Sequence, residues 1–580
     1  MAVLKTNEAN CRDCYACVRA CPVKAIRVNT GHAEIVPDLC ILDGACVEAC
    51  PQGAKQIEEH LSRTEALLAS GATVFTVAPS IAAGFAVHPG VIAAALRRLG
   101  AVAVGETAET SGWISRHHRE QAEEKGAVVS SSCPAVVNLA TRYYVGALPY
   151  LAATVSPMIA HGRVIKQVLG EKTHVVFCGP CIAKKGEIAH PAVAGDIDAV
   201  LTFDELHALL DKHVPDWTTL EPEPFDRFIV TEDAIADIRH FPLPGGMMKL
   251  LGVPEESLQL TTLVITGIEH CKEFFADIPV NGMPAQIVEM MACDGGCIAG
   301  PVMSRHEPVY RRQHRLERFA QELVDQPEPR WHPKALRYGD IPLDCSYRDM
   351  RLRLPEPGEE EIKAILDSIG KHKPADELNC GACGYKSCRD KAVAVYQGMA
   401  EREMCIPHMR NKAESLAEVT IAATPTGVVV VNRNLYVLSV NPAAERMFKC
   451  QAADLVGRPL WRLFDPVRVE KVFQTKQPIS GVVRYEKQGL VIQEYLAYDA
   501  HSDLVIVLST DITSDVKKQE EYAALREASL ERAQEVINKQ MRVAQEIAGL
   551  LGETTAETKA ILTELMHLFS ESEGQKHGRS

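Results

Sequence analysis

Sixteen of the nineteen cysteines in this 580-residue chain fall into three groups, and grouped thiolates are the ligands of iron-sulfur clusters. The first run reads CRDCYACVRACP from residue 11 and has the spacing C-x2-C-x2-C-x3-C-P. A loop of this length places three thiolates on one cubane, and the fourth serves another cluster when a second run is nearby. The cysteines of this run are Cys11, Cys14, Cys17 and Cys21.

A second run, CILDGACVEACP from residue 40, is the expected partner, and the two runs together resemble a two-cluster bacterial ferredoxin. By the crossed pattern, the first cluster takes Cys11, Cys14, Cys17 and Cys50, and the second takes Cys21, Cys40, Asp43 and Cys46. A carboxylate is a more exchangeable iron ligand than a thiolate, so we expect either 4Fe-4S with Asp43 bound or 3Fe-4S with that corner empty. Zinc ribbons are the alternative, but they use two ligand pairs per metal instead of interleaved quartets.

The middle of the chain, from about residue 70 to 303, alternates short apolar runs with helical stretches, which predicts α/β layering. Strands are predicted at 72–77, 126–129 and 174–177, and the last two run into loops that carry Cys133 and Cys181. Ligands of open α/β sheets lie beyond the carboxyl ends of strands, so these two thiols are expected to face one crevice. A third segment, EMMACDGGCIAGP from residue 289, adds Cys293 and Cys297, with two glycines that allow close backbone approach.

These three segments resemble the signature loops of the catalytic domain of iron-only (FeFe) hydrogenases, T-S-C-C-P, M-P-C-x-x-K-x-x-E and E-x-M-A-C-x-G-G-C. They stand here at 131–134, 179–187 and 289–297, and the resemblance covers about residues 70 to 310. It implies an H-cluster, in which a 4Fe-4S cubane is joined through Cys297 to a two-iron subsite with CO, cyanide and a dithiolate. The implied cubane ligands are Cys133, Cys181, Cys293 and Cys297, and the implied residues around the two irons are Ser80, Lys184 and Met291. A cationic donor such as Lys184 suits an anionic cyanide acceptor.

The proton path of the family is altered in this chain. Ser132 replaces the cysteine that shuttles protons in the family, and a hydroxyl is a far weaker acid than a thiol, so slow proton delivery is expected. The other departures are Ile114 and His117, or their immediate neighbours, in place of glutamates, Ala152 in place of a serine, and Gly179 in place of a methionine. Cys178 is an extra thiol that either substitutes as the proton carrier or is an ordinary buried cysteine.

A third cysteine group lies at NCGACGYKSC and continues to Cys405 after sixteen residues, following a charged, proline-bearing linker at about 355–373. It resembles the small 4Fe-4S domain of corrinoid iron-sulfur proteins, with Cys380, Cys383, Cys388 and Cys405 as the ligands. A zinc site with the same four thiolates is the alternative. Cys271, Cys345 and Cys450 are left as ordinary thiols of the apolar interior.

Residues 416–513 resemble a PAS domain in the order of their strands and in the Asn cap at Asn441. The sequence does not identify a PAS ligand, and a dimerising spacer without cofactor is the alternative. The segment after Asp515 is predicted to be helical, with an apolar seam from Leu525 to Ile547 that favours pairing in a homodimer. It contains neither a kinase ATP site nor another output enzyme, so a signal is expected to leave by contact with a kinase, phosphatase or regulator.

Length and charge agree with this layout. At about 150 residues per domain the chain has room for about four domains. The predicted multidomain α/β and α+β architecture comprises a ferredoxin domain at 1–60, an H-cluster domain at 61–354, a 4Fe-4S domain at 355–415, a PAS domain at 416–513 and signalling helices at 514–580. A net charge of −14 without a basic stripe argues against nucleic-acid binding. Without a signal peptide or membrane span, we expect a cytoplasmic protein.

The leading hypothesis is a sensory hydrogenase that interconverts dihydrogen with two protons and two electrons slowly and passes its redox state through clusters to the PAS module. Two alternatives stay open. The first alternative is a working hydrogenase linked to a redox partner such as ferredoxin. The second is an iron-sulfur assembly or scaffold protein that lacks the two-iron subsite.

Overall fold

The computed structural model describes residues 2–230, 233–251, 261–303, 307–321, 330–486, 488–550 and 555–571. The chain divides into two compact units, Met1–Met409 and Arg410–Ser580. Within the described ranges, no helix is both long enough and apolar enough to cross a membrane. The domain boundaries stay a prediction.

The first part of unit one has two short antiparallel strand pairs and two single-turn helices. These are β1 (Leu4–Thr6), α1 (Ala16–Ala20), β2 (Ile26–Asn29), β3 (His32–Ile35), α2 (Ala45–Ala49) and β4 (Lys55–Ile57), with β1 paired to β4 and β2 to β3. Each helix ends at the last cysteine of a run, where Cys21 and Cys50 adopt extended backbone. The buried Lys55 ammonium donates to the Thr6 hydroxyl and the Ala33 carbonyl, both at 2.6 Å, and thereby ties β4 to β1 and β3.

The middle of unit one contains two separate parallel sheets. The strands are β5 (Thr73–Val77), β6 (Ala103–Glu106), β7 (Val128–Val129), β8 (His174–Cys178), β9 (Ala199–Leu201), β10 (Asp226–Ile229), β11 (Thr262–Thr266), β12 (Ile287–Met291) and β13 (Arg330–Leu336). One sheet has the order β13-β10-β6-β5-β8-β9 and the other β11-β12-β7. All three predicted strands are present, but the strand before Cys133 belongs to the smaller sheet.

Helices pack on both sheets of this region. They are α3 (Leu61–Ser70), α4 (Ile81–Gly84), α5 (Pro89–Arg98), α6 (Ser111–Lys125), α7 (Pro134–Tyr143), α8 (Pro157–Leu169), α9 (Ala183–Glu187), α10 (Phe203–His213), α11 (Ile235–Arg239), α12 (Gly246–Leu250), α13 (Ile268–Asn281) and α14 (Val309–Gln321). Successive residues of β5 alternate between two cores, with Phe75 in one and Val74 in the other. Burial on both faces explains why this strand is a continuous apolar run.

The last part of unit one is a small helical domain that packs on the ferredoxin-like part. Its helices are α15 (Glu359–Ser368) and α16 (Cys388–Tyr396), and α17 (Ile406–Ala423) begins at its end and continues into unit two. The Val28 amide donates to the Met399 carbonyl at 3.0 Å, and both parts contribute residues to one apolar core. The segment predicted as a linker, about 355–373, contains α15, whose Ile362 and Ile365 are buried against Ala392 and Cys405, so most of it is part of this domain.

Unit two is built on a five-stranded antiparallel sheet of order β15-β14-β18-β17-β16. Its elements are β14 (Gly427–Asn432), β15 (Val437–Val440), α18 (Pro442–Phe448), α19 (Ala452–Leu455), α20 (Val467–Thr475), β16 (Ile479–Tyr485), β17 (Leu490–Asp499), β18 (Leu504–Asp511), α21 (Thr513–Leu550) and α22 (Thr555–Glu571). The Asn441 side chain accepts from the Ala444 amide at 2.9 Å, which is the predicted helix cap. Leu525 and Ile547 of α21 are exposed apolar residues.

Candidate active site and cluster sites

The three predicted cysteine loops meet at the carboxyl ends of strands from both sheets. Cys133 follows β7 and precedes α7, Cys181 follows β8, and Cys293 and Cys297 follow β12. All four line one cavity of about 270 Å³, together with Met291 at the end of β12. Parallel strands of two sheets therefore deliver four thiols to one place, as the sequence predicted.

Burial and nearby thiolate charge favour the protonated form of three of these thiols, Cys181, Cys293 and Cys297. Burial raises the pKa of Cys181 to about 11, and burial together with the Cys133 and Cys181 charges raises the pKa of Cys297 to about 12. The pKa of Cys293 is raised in the same way by burial and by its three neighbours. A positively charged metal cluster reverses this balance because thiolate ligation is coupled to proton release.

Unpaired polar groups at the predicted positions around this site fit an anionic ligand. Ser80 is 1% exposed, and neither its hydroxyl nor the buried hydroxyl of Ser132 has a hydrogen-bond partner among the described residues. The Lys184 ammonium lies 2.7 Å from a Glu187 carboxylate oxygen and 3.5 Å from the Ser132 carbonyl. Four thiols, two hydroxyls without hydrogen-bond partners among the described residues and a buried ammonium fit a metal cluster that carries anionic ligands.

Glycines shape the loops that approach the site. Gly296 has φ +81°, and a Cβ there would lie 2.5 Å from the Pro242 carbonyl, so only glycine fits. A Cβ at Gly179 would lie 2.5 Å from the Phe177 ring. The Phe177 ring therefore occupies the space that the Cβ of a methionine at position 179 would need.

Of the positions where the family's proton path is predicted to be altered, Ile114 and Ala152 are apolar and buried, and the His117 side chain contacts a different residue. Ile114 and Ala152 are fully buried. The His117 ring lies 3.3 Å from the Asp344 carboxylate. These positions provide no carboxylate or hydroxyl relay toward Ser132.

His118 is a buried residue beside the Ser132 loop that the sequence reasoning did not identify. Its Nδ1 lies 2.7 Å from the Ile114 carbonyl, and its Nε2 accepts from the Ser131 amide at 3.2 Å. Burial lowers the pKa of His118 to about 4, so the ring is neutral at pH 7. No sequence pattern distinguishes His118 from the neighbouring His117, whose contacts differ, so the contact between His118 and Ser131 could not be predicted.

Cys178 is the last residue of β8, three residues before Cys181. It is fully buried in the same apolar core as Val176 and Leu201. Burial raises its pKa, and the charged group that raises it further is Glu205. This environment agrees with the packing alternative, and the relay role stays a prediction.

The second ferredoxin-like site lies between the first run and the four-cysteine cavity. Burial raises the pKa of Asp43 to about 6, and the Asp43 charge adds to burial in raising the pKa of Cys21, Cys40 and Cys46. Asp43 also lines the four-cysteine cavity. The structure thus brings the predicted crossed quartet together and places it next to the candidate active site.

The first ferredoxin-like site is closer to solvent. Cys17 interacts electrostatically with Cys11 and Cys50, and burial raises its pKa. Cys14 is exposed in the same loop. That Cys14 is a ligand of the first quartet stays a prediction.

The third site collects its four predicted cysteines around one small cavity, lined by Cys380, Cys383, Cys388 and Cys405. Lys391 of α16 lies beside them, is 1% exposed, and donates to the Arg402 carbonyl at 2.7 Å. Its ammonium offsets thiolate charge, a feature that sequence reasoning missed because Lys391 follows Cys388 within an ordinary helical stretch. The Asn379 side chain accepts from the Cys388 amide at 2.8 Å and fixes the loop.

The PAS core contains one buried polar cluster. Glu494 is 3% exposed, and it accepts from the Tyr485 hydroxyl at 2.6 Å and from Arg468 at 2.7 Å. This cluster joins β16, β17 and α20. It identifies no ligand.

Four family models match segments of the chain. They are the C-terminal domain of the large chain of iron-only hydrogenase at residues 72–301, an Fe-S cluster model at 376–407, the 4Fe-4S dicluster domain at 4–57 and the PAS domain at 425–514. The chain therefore contains a region with the fold of the iron-only hydrogenase catalytic domain, joined to iron-sulfur domains and a PAS domain. This confirms the predicted fold class and the resemblance on which it rested.

Individual relatives fall into two kinds. The NADP-reducing hydrogenase subunit HndD of Solidesulfovibrio fructosivorans is 27% identical over 365 residues, 50% of this chain and 62% of that protein. The chain thus spans less than two thirds of that relative. Protein NAR1 of Arabidopsis thaliana is 25% identical over 342 residues, 45% of this chain and 71% of that protein. A glutamate-to-alanine variant of the FeFe-hydrogenase HydA1 from Chlamydomonas reinhardtii aligns with a TM-score of 0.40 and 16% identity, over 51% of this chain and 100% of that one.

Proposed function

We propose that this protein is a sensory hydrogenase that reacts slowly and reversibly with dihydrogen and reports its redox state through the PAS domain. One observation carries the proposal. Four thiols line one cavity, the Lys184 charge acts on two of them, and the buried Ser80 hydroxyl has no hydrogen-bond partner among the described residues. Ser132 and the buried Ile114 and Ala152 would interrupt the family's route for protons. A site that retains its cofactor ligands but lacks fast proton supply suits a detector better than a high-turnover enzyme.

The chain's own residues have separate tasks in this proposal. Cys133, Cys181, Cys293 and Cys297 would hold the H-cluster, which when bound supplies the irons at which dihydrogen is formed from, or split into, two protons and two electrons. Lys184 would donate to a cyanide while Glu187 fixes its ammonium at 2.7 Å. The free hydroxyls of Ser80 and Ser132 would donate to polar ligands of the same group, and Ser132 would also move protons slowly.

The remaining domains would carry electrons and a signal. The proposed 4Fe-4S sites, the second of which is 3Fe-4S if Asp43 does not bind, would exchange electrons with a redox partner such as ferredoxin. The exposed apolar residues of α21 would pair in a homodimer and contact a kinase, phosphatase or regulator. A cytoplasmic location also stays a prediction.

An assembly or scaffold role is the second candidate, because a protein named as a cytosolic iron-sulfur assembly component is also among the relatives. The retained Lys184 and the Ser80 hydroxyl, which has no hydrogen-bond partner among the described residues, favour the hydrogenase, because the family resemblance assigns both to the two-iron subsite. A working hydrogenase is the third candidate. Its fast turnover requires a proton route that Ile114 and Ala152 do not provide.

Infrared spectroscopy of the full chain, produced together with hydrogenase maturation proteins, tests the proposal. We expect CO and cyanide bands in the native protein and in a Cys450→Ser control, whose altered thiol lies in the PAS domain. Cys297→Ser should lose them. Native protein without such bands but with intact cubane signals would support the assembly role, and fast turnover per H-cluster in both directions would support the working enzyme.

A further inference from the structure

Tyr385 lies where the third-site domain meets the ferredoxin-like domain. Its ring lines the cavity of the four third-site cysteines. The same ring packs in an apolar core with Val18 and Cys21, and it is only 5% exposed. One buried side chain therefore reaches both the third site and the second ferredoxin-like site, to which Cys21 is assigned.

Hydrogen bonds between side chains and backbone groups join the two domains at this point. The Arg19 guanidinium donates to the Ala382 carbonyl at 3.1 Å, and the Thr30 amide donates to the Glu401 carboxylate at 2.5 Å. Gly384, next to Tyr385, has φ +97°, and a Cβ there would lie 2.8 Å from a Val18 methyl and 3.2 Å from the Arg19 nitrogen. The close approach of the third-site loop to α1 thus depends on this glycine.

The Tyr385 hydroxyl is a buried donor without a hydrogen-bond partner among the described residues. The thiolates of Cys383 and Cys21 both act electrostatically on this phenol. No cysteine sulfur among the described residues accepts from the hydroxyl, so the sulfurs of the clusters that these cysteines would hold are the acceptors available to it. A hydrogen bond to a cluster sulfur stabilises the reduced cluster and raises its reduction potential.

The second ferredoxin-like site also contacts the candidate active site at its other end. Asp43 lines the four-cysteine cavity, and a Cβ at the neighbouring Gly44 would overlap the Pro301 ring. This quartet is thus in contact with the active-site cavity on one side and with Tyr385 on the other.

We propose that Tyr385 connects the second ferredoxin-like cluster to the third cluster and that its hydroxyl donates a hydrogen bond to a sulfur at this junction. Electrons then reach the third cluster through the second cluster instead of directly from the active site. Oxidation of one dihydrogen to two protons releases two electrons, and each of the two clusters accepts one. That these electrons come from dihydrogen rests on the proposed function. The position of Tyr385 between the two cluster sites does not depend on it.

The first test removes only the hydroxyl. In the full chain with reconstituted clusters, Tyr385→Phe is titrated with dithionite and redox mediators, and the clusters are followed by electron paramagnetic resonance. We expect a lower midpoint potential for the second or the third cluster, because the ring stays and the donor is lost. Tyr396→Phe, an exposed tyrosine of the same domain, should leave both potentials unchanged. Native potentials for both clusters in Tyr385→Phe overturn the hydrogen bond.

The second test separates the two domains. When both clusters are reduced with dithionite, the native protein should show spin–spin broadening between them. Gly384→Ala should lose it, whereas Gly398→Ala should keep it, because Gly398 also has positive φ, +68°, but a Cβ there meets nothing within 4 Å. Native protein without broadening, or Gly384→Ala with native broadening, overturns the junction. Dithionite replaces dihydrogen as the reductant in both tests. Their failure therefore leaves the proposed hydrogenase function standing, and failure of the hydrogenase function leaves the proposed role of Tyr385 standing.

Discussion

Replacing Ser132 by cysteine is expected to raise hydrogen evolution. The Ser132 hydroxyl is buried and has no hydrogen-bond partner among the described residues, so the change breaks no described contact. A thiol has nearly the same shape as the hydroxyl that it replaces and is a much stronger acid. The substitution therefore changes proton supply while leaving the fold almost unaffected.

The expected size of the effect follows from the surroundings. The ordinary pKa of a thiol, about 8.5, lies above pH 7 but far closer to it than that of a hydroxyl, so an introduced thiol is mostly protonated at pH 7 and can donate. A positioned proton donor contributes roughly 10²–10⁴-fold to a rate. Only the first step is restored, because Ile114 and Ala152 remain buried and apolar beyond it. We therefore expect a rise of about tenfold, below the range for a complete relay.

The assay is hydrogen evolution from reduced methyl viologen, expressed per H-cluster counted by infrared spectroscopy. Ser131→Cys is the matched control, because the Ser131 hydroxyl already donates to the Thr154 carbonyl at 2.7 Å and is not free to serve the site. The control should show no rise. An unchanged or lower rate in Ser132→Cys, with native CO and cyanide bands, would refute the idea that position 132 limits turnover.

Four further outcomes are expected. Asp43→Cys should abolish any 3Fe signal that the native protein shows in electron paramagnetic resonance, and the complete absence of a 3Fe form in native protein under mild oxidation would contradict exchange at Asp43. Cys178→Ala should lower the residual evolution rate if this thiol carries protons, whereas an unchanged rate would assign it to packing. His118 has a folded pKa of about 4, below its unfolded value of about 6.5, so its contribution to stability is lost as pH falls through this window. Between pH 7 and pH 5 the native protein should therefore lose about 2 kcal/mol more unfolding free energy than His118→Gln, as measured by urea unfolding, and equal losses would show that the ring titrates normally. Hydrogen–deuterium exchange of residues 514–570 should differ under dihydrogen and argon, and identical exchange while the H-cluster changes redox state would remove the sensory proposal.

Local spacing is the part of the site that could be predicted. The two ferredoxin-like quartets and the third-site quartet each depend on cysteines only a few residues apart, so chain geometry brings most of their thiols together in any compact fold. The strands before Cys133 and Cys181 were predictable from their apolar runs, but their assignment to two different sheets was not. Hydrogen-bond pairing between distant strands is decided by tertiary packing, which short sequence windows do not contain.

The sequence by itself determined which residues can ligate metal, which proton-path groups are missing, and the order of the domains along the chain. Only the tertiary structure decided where those residues point. Cys178 and Phe177 are neighbours in one strand, yet they face opposite sides of the sheet because strand side chains alternate. His118 reaches the Ser131 amide, and Tyr385 reaches the core around Cys21, across long separations in the chain. Such contacts arise when separate elements pack together, and the spacing of residues within each element does not specify them.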